Sequence, residues 1–279
     1  MTARPSTPPL QLAATSVRRY LTLVLSLGIP LLAIPAIADL PVEPFLLITT
    51  YGLLLGGAIA VAHRTGPGGV RRLFRGVLHW RIGWRNWALA VAAIPMATVA
   101  VALSTGTYTT PPDGWATVVG NYLLFTLVIG ALFLNIFEET AWQGLVQRHL
   151  ADRHGQLRAA LLTAIPFAAL HLPLSFLGDV TAGEVAVAGA LIVVMAPAMR
   201  YVMGRTDHRT GSLLAVGITH ASFNASGQLE VAAGGWQHIV GLALIAAVLL
   251  VKDARRRPAQ AASVPDSRSP YAASHRTED

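Results

Sequence analysis

The chain has no cysteine, which excludes disulfides, a thiolate nucleophile and any Cys-based metal site. Charge is also scarce. Asp, Glu, Lys and Arg make up 13% of the residues, against about 25% in soluble domains. Lysine is nearly missing: Lys252 is the one Lys beside twenty Arg. What fills the chain instead is apolar. Of its 279 residues 53% are hydrophobic, and the mean hydropathy is +0.53. Low charge with long apolar runs points to an all-α polytopic membrane protein, because a helix satisfies its own backbone in lipid. A formal charge of +7 would suggest nucleic acid in a soluble protein, but its distribution argues otherwise.

Eight apolar segments are expected to span, at 20–38, 44–62, 87–103, 116–146, 157–177, 185–201, 212–227 and 236–251. Each supplies close to the 17–25 residues or so that a spanning helix needs, the seventh only just. The fourth is too long, so its last turns are expected to tilt or lie in the interface. Every Lys and Arg falls in five places: before the first span, between the second and third, between the fourth and fifth, around the sixth-to-seventh connection, and after the eighth. The other four connections hold only acids: Asp39, Glu43, Asp113, Asp179, Glu184 and Glu230. The positive-inside rule then puts both termini in the cytoplasm of a multi-pass cell-membrane protein.

The expected organisation is a cytoplasmic segment at 1–19, three N-terminal spans at 20–115, a core at 116–251 and a disordered basic tail at 252–279. The stretch RRLFRGVLHWRIGWR at 71–85 mixes Arg with Trp, Leu and Phe and reads as interfacial and amphipathic. The flanking spans hold it against lipid headgroups, so no nucleic-acid partner is expected. AIA before Asp39 also permits a cleaved signal peptide. Cleavage would leave seven spans and would not touch the residues below.

Glu138 and Glu139 are the two acids that sit on a span with apolar sequence on both sides. A charge at a helix centre costs about 2.5–3.5 kcal/mol, so such residues are functional by default and are expected to be neutral or paired. His171, His220 and Asn224 interrupt other apolar spans. Counted from the nearest basic residue on each helix, Glu138 lies about 15 Å from Arg148, His171 about 20 Å from Arg158, and His220 about 16 Å from Arg209. Three helices thus deliver polar groups to one depth. His63, His79, His149, His154, His208, His238 and His275 are expected at the surface or snorkelling.

Burial disfavours the charged form of a carboxylate, which suits Glu138 to general acid–base work near neutral pH. His171 and His220 could orient a water, donate to an oxyanion or protonate a leaving amine, and the Asn224 amide could donate to an oxyanion. The set fits hydrolysis of a carbonyl compound without a covalent intermediate. Neither a Ser-His-Asp arrangement nor G-x-S-x-G accompanies it, and Ser222 points away from His220 at i,i+2. Zinc is the competing use, with His171, His220 and Glu138 as its ligands. No H-E-x-x-H is present, and adjacent glutamates diverge by about 100° around a helix.

EETAWQ at 138–143, FAALH at 167–171 and HASFN at 220–224 resemble the E-E-x-x-x-R, F-x-x-x-H and H-x-x-x-N motifs of the CPBP intramembrane proteases, the group of CAAX prenyl proteases and bacteriocin-processing enzymes. The resemblance covers about residues 116–250 and extends to W-x-G after the glutamates, HLPL after the first His and TGSLL before the last motif. It implies an eight-helix fold and endopeptidase activity near the C-terminus of a membrane-associated peptide or lipidated protein. It also implies a water-activating role for Glu138, with His171, His220 and Asn224 around the water and oxyanion, and Phe167, Glu139 and Gln143 behind them. The family has been called a metalloprotease group, a label that leaves zinc open. One departure stands out: Gln143 occupies the position of the motif's Arg. At i+4 that Arg could pair with the second Glu, whereas Gln143 offers Glu139 only a hydrogen bond and no cation.

Three functions follow for testing: an intramembrane protease; a non-cutting relative acting as a membrane binding or immunity partner, suggested by Gln143; and a proton-coupled transporter using the buried carboxylates. Transporters of this kind often show internal repeats, and the sequence shows none.

Overall fold

Apolar runs of this length close their backbone hydrogen bonds within each segment, and helices result. A computed structural model describes residues 10 and 12–262. Arg4 and the tail beyond residue 262, His275 included, lie outside the described residues. Among the described residues seven helices are long and apolar enough to cross a membrane: α1 (Ala14–Ala38), α2 (Glu43–His63), α3 (Trp84–Ser104), α4 (Gly114–His154), α5 (Gln156–Phe176), α6 (Ala182–Thr210) and, after a shorter helix, α8 (Gln237–Arg255). The last continues in helical form to Ala262. Among the described residues no strand forms, only an isolated bridge between Tyr108 and Ala232. The protein is an all-α, multi-pass membrane protein.

The expected seventh span differs. Helix α7 (Leu213–Ser226) has 14 residues, about 21 Å against a hydrocarbon core of about 30 Å. Its ends are set locally: Ser212 Oγ accepts from the Ala215 amide at 3.0 Å, and the helix stops at Gly227. All of its residues except Leu214 and Asn224 are buried. A helix enclosed by protein need not match the lipid thickness. At its start, Ser212 Oγ donates to His79 O at 2.6 Å, and the Leu214 amide donates to Gly76 O. Beyond its end, the Thr109 amide donates to Val231 O, and the Ala233 amide to Thr107 O. Arg-rich connections gather at the first of these ends, and connections that carry Asp113 and Glu230 at the second.

The chain divides into two units, 1–246 and 247–279, and everything below lies in the first. Helix α4 is the axis of the site. Its 41 residues would measure about 60 Å if regular, far longer than a bilayer requires. Its hydrogen bonding widens to the π-helical form over Leu124–Asn135 and again over Trp142–Gln147. Between these stretches lies the α-helical segment Ile136–Ala141, which carries Glu138 and Glu139. Widened turns of this kind recur at functional sites. Helix α7 packs on this part of α4 at close range. A Cβ placed on Gly217 would lie 2.8 Å from Ile136 Cα, so glycine is what permits the approach. Small residues commonly let membrane helices meet this way.

Candidate active site

Glu138 and Glu139 diverge as adjacent helical positions must, and the divergence gives them different surroundings. Glu138 turns towards α5. Its Oε1 lies 3.8 Å from His171 Nε2, and the two side chains keep 12% and 24% of their exposure. His171 ends α5, one turn after Phe167, and its Nδ1 lies 2.7 Å from the Phe167 carbonyl oxygen. A carbonyl can only accept, so Nδ1 carries the hydrogen. A neutral ring then presents its lone pair on Nε2, facing the Glu138 carboxylate. Two acceptors at 3.8 Å are too far apart for a direct hydrogen bond, and their separation suits a shared donor between them.

Glu139 turns inward and is fully buried. Arg200 Nη2, from α6, donates to both of its oxygens at 2.7 Å. His220 Nδ1, from α7, lies 2.8 Å from Glu139 Oε1. The carboxylate therefore meets three nitrogen contacts from two other helices. His220 commits Nδ1 to this contact and keeps Nε2 for the site. Phe167 ties the two halves together. Its ring stacks on His171 at 4.2 Å, meets Trp142 edge-on at 5.6 Å, and lies under the Arg200 guanidinium at 5.0 Å.

Asn224 reaches α4 on the other flank, where its Nδ2 lies 3.5 Å from Asn135 Oδ1. Asn135 is buried and sits three residues before Glu138. It was not anticipated, although an amide within the apolar run LFLNIF was a visible signal.

Two expectations are corrected. Gln143 does not bond Glu139; its Nε2 donates to Asp207 Oδ2 at 3.1 Å. The i,i+4 argument assumes a regular helix, and the backbone widens immediately after Ala141. Nor does Glu139 lack a cation. Arg200 appears from the sequence to belong to the connection after the sixth span, but α6 continues to Thr210 and Arg200 is fully buried within it. Further along the same interface Arg148 clasps Asp207, with Nε at 2.8 Å and Nη2 at 2.6 Å, while Gln147 Nε2 holds the Arg200 carbonyl at 2.8 Å. Two histidines also depart from a surface placement: His149 is buried, and the His238 ring packs 4.7 Å from that of Phe223.

The donors suit zinc in part, since each histidine anchors Nδ1 and leaves Nε2 available, as metal-binding histidines do. The third ligand fails. Among the described residues no three His, Asp or Glu side chains gather so as to hold a metal ion.

No curated protein matches the chain. Residues 120–226, which hold Glu138, Glu139, His171, Arg200, His220 and Asn224, match the family described as type II CAAX prenyl endopeptidase Rce1-like, and that match supports a CPBP/CAAX protease assignment.

Proposed function

We propose that the protein is an intramembrane endopeptidase that cleaves a membrane-associated peptide or lipidated protein with a water activated by Glu138. The observation that carries this reading is the pair of facing acceptors, Glu138 Oε1 and His171 Nε2, 3.8 Å apart. A water between them can donate one hydrogen to each. Its oxygen lone pair then attacks the carbonyl carbon of the scissile bond as its proton passes to Glu138. The C–O bond forms, the carbonyl becomes an oxyanion, and Asn224 Nδ2 supplies a donor for it. Its present contact with Asn135 is long at 3.5 Å, so little is lost when it turns to the oxyanion. Collapse breaks the C–N bond, and the proton held by Glu138 goes to the leaving amine. His220 is held beside them through Nδ1 by Glu139. Every step uses the chain's own groups.

In this reading the chain lies in the cell membrane with both termini and the Arg-rich rim in the cytoplasm. The contacts among the basic connections at Gly76, His79 and Ser212 support one such rim. Arg200 beside Glu139 removes the reason Gln143 gave for a non-cutting relative.

Comparative proteomics of membrane-peptide ends tests the reading. Cells carrying Glu138→Ala are expected to lose a set of C-terminal fragments and to accumulate their precursors. Identical peptide ends in both strains would reject it.

A further inference from the structure

The Arg-rich rim carries a surface that the candidate site does not use. The connection between the second and third spans holds Arg64, Arg71, Arg72, Arg75, Arg81 and Arg85, and no acid occurs anywhere between Glu43 and Asp113. The backbone of this connection is fixed from the protein side. Gly76 O accepts from the Leu214 amide, His79 O from Ser212 Oγ, Arg75 O from Arg148 Nη1 at 3.3 Å, and Trp80 O from Trp87 Nε1 at 3.0 Å. Leu73 is fully buried, and Val77 packs against the cluster that holds Ile136 and Ile218. The inward side of the connection is therefore occupied.

The outward side is apolar where a solvated loop would be polar. Leu78, Trp80 and Trp84 keep 86%, 61% and 74% of their exposure. Cations stand over the two rings: the Arg81 guanidinium lies 5.0 Å from the Trp80 ring, and that of Arg85 lies 5.7 Å from the Trp84 ring. Both Arg are exposed. Arg72, by contrast, turns back to Pro67 O and Thr65 Oγ1 within the connection.

We propose that residues 78–85 bind an anionic phospholipid of the leaflet that meets this rim. Arg81 and Arg85 take the phosphate-bearing headgroup, and Leu78, Trp80 and Trp84 lie against its glycerol and first acyl carbons.

Two features select this occupant. Trp84 opens the spanning helix α3, so the rings stand at the level where a bilayer passes from headgroup to hydrocarbon, the depth that tryptophan favours. A soluble acidic partner would match the charge but has no use for apolar rings at that depth. The second feature is the charge itself. Arg meets phosphate through a planar fork of N–H groups, and a guanidinium over a ring face still has that edge to offer. A zwitterionic lipid neutralises its phosphate with its own ammonium. An anionic lipid brings net negative charge to a segment that has no acid of its own. Basic clusters next to a spanning helix are read by anionic lipids in this way. The same connection holds the start of α7 through Gly76 and His79, so a lipid seated here braces the helix that carries His220.

The inference does not rest on the protease reading, and its test needs no substrate. Native mass spectrometry of the purified full-length protein in detergent measures the binding of added lipid. Phosphatidylglycerol is expected to bind about tenfold or more tightly than phosphatidylcholine. Arg81→Gln with Arg85→Gln should weaken phosphatidylglycerol on the order of 30-fold, about fivefold for each Arg, and leave phosphatidylcholine nearly unchanged. Arg19→Gln with Arg158→Gln removes the same charge from exposed positions in other basic segments and should leave phosphatidylglycerol binding nearly unchanged. Trp80→Ala with Trp84→Ala should weaken both lipids. Every substituted side chain is exposed, so the fold is kept. Equal affinity for the two lipids, or equal losses from the two Arg pairs, would overturn the proposal and leave ordinary rim charge. Unchanged binding in the Trp pair would overturn the seat beside the rings. Displacement of phosphatidylglycerol by inorganic phosphate or a single-stranded oligonucleotide at equal concentration would overturn the lipid as occupant and assign the surface to a soluble anion.

Discussion

Arg200 Nη2 lies 2.7 Å from both carboxylate oxygens of Glu139, and neither side chain has any exposure. A buried pair of this kind contributes little net stability if both partners are replaced, but much is lost when one goes. Arg200→Met and Glu139→Gln are each expected to destabilise the protein by about 3–5 kcal/mol. The double variant should recover most of that loss. Thermal unfolding of the four proteins in one detergent forms the double-mutant cycle, and additive single effects would show that the pair is not coupled.

Gln143 makes one side-chain hydrogen bond, to Asp207, which Arg148 already holds twice. Gln143→Ala should therefore cost about 0.5–1.5 kcal/mol and spare activity. Gln143→Arg adds a cation beside Asp207 instead of Glu139 and should leave His220 as it is. A large gain in activity from Gln143→Arg would show that Glu139 lacks its cation after all.

Gly217 lets α7 come close enough for His220 to reach Glu139. Its Cβ position lies within 2.8 Å of Ile136 backbone, and backbone cannot rotate away. Gly217→Ala is expected to cost about 1–3 kcal/mol as an overpacking change and to lower cleavage through His220. Gly120 has nothing within 4 Å of its Cβ position, so Gly120→Ala in the same helix pair serves as the neutral control. Equal stability of the two variants, measured by thermal unfolding, would contradict the close-packing account.

Zinc removal gives a further check. Because no third ligand joins His171 and His220 among the described residues, chelation is expected to leave cleavage unchanged. Metal analysis of the active protein should find less than one equivalent. Loss of activity on chelation, restored by zinc, would refute a water activated by Glu138 alone.

Most of the spans and of the candidate site are legible in the sequence because each deep polar residue interrupts an apolar run. Glu138, His171, His220 and Asn224 all announce themselves in this way, and depth counting aligns the first three. The structure links them through different partners: His171 faces Glu138, while His220 holds Glu139. Arg200 could not be read in advance. It stands at the end of an apolar run, where a rim charge is the ordinary expectation, and its partner is 61 positions away. The length of α7 was ambiguous for a different reason: a short apolar run serves equally as a span or as a buried helix. The face-sharing of Glu139 and Gln143 failed because periodicity arguments assume regular turns, and α4 widens after Ala141.

The central claim is that Glu138 takes the proton of the attacking water, and Glu138→Gln tests it most directly. The change keeps the shape of the side chain and removes the base. With a substrate identified from membrane-peptide ends, purified wild-type and Glu138→Gln proteins are compared in liposomes for single-turnover cleavage. The account predicts a fall in the rate on the order of 10²–10⁴-fold, the contribution of a positioned general base, with substrate binding retained. Cleavage by Glu138→Gln at the wild-type rate would contradict it.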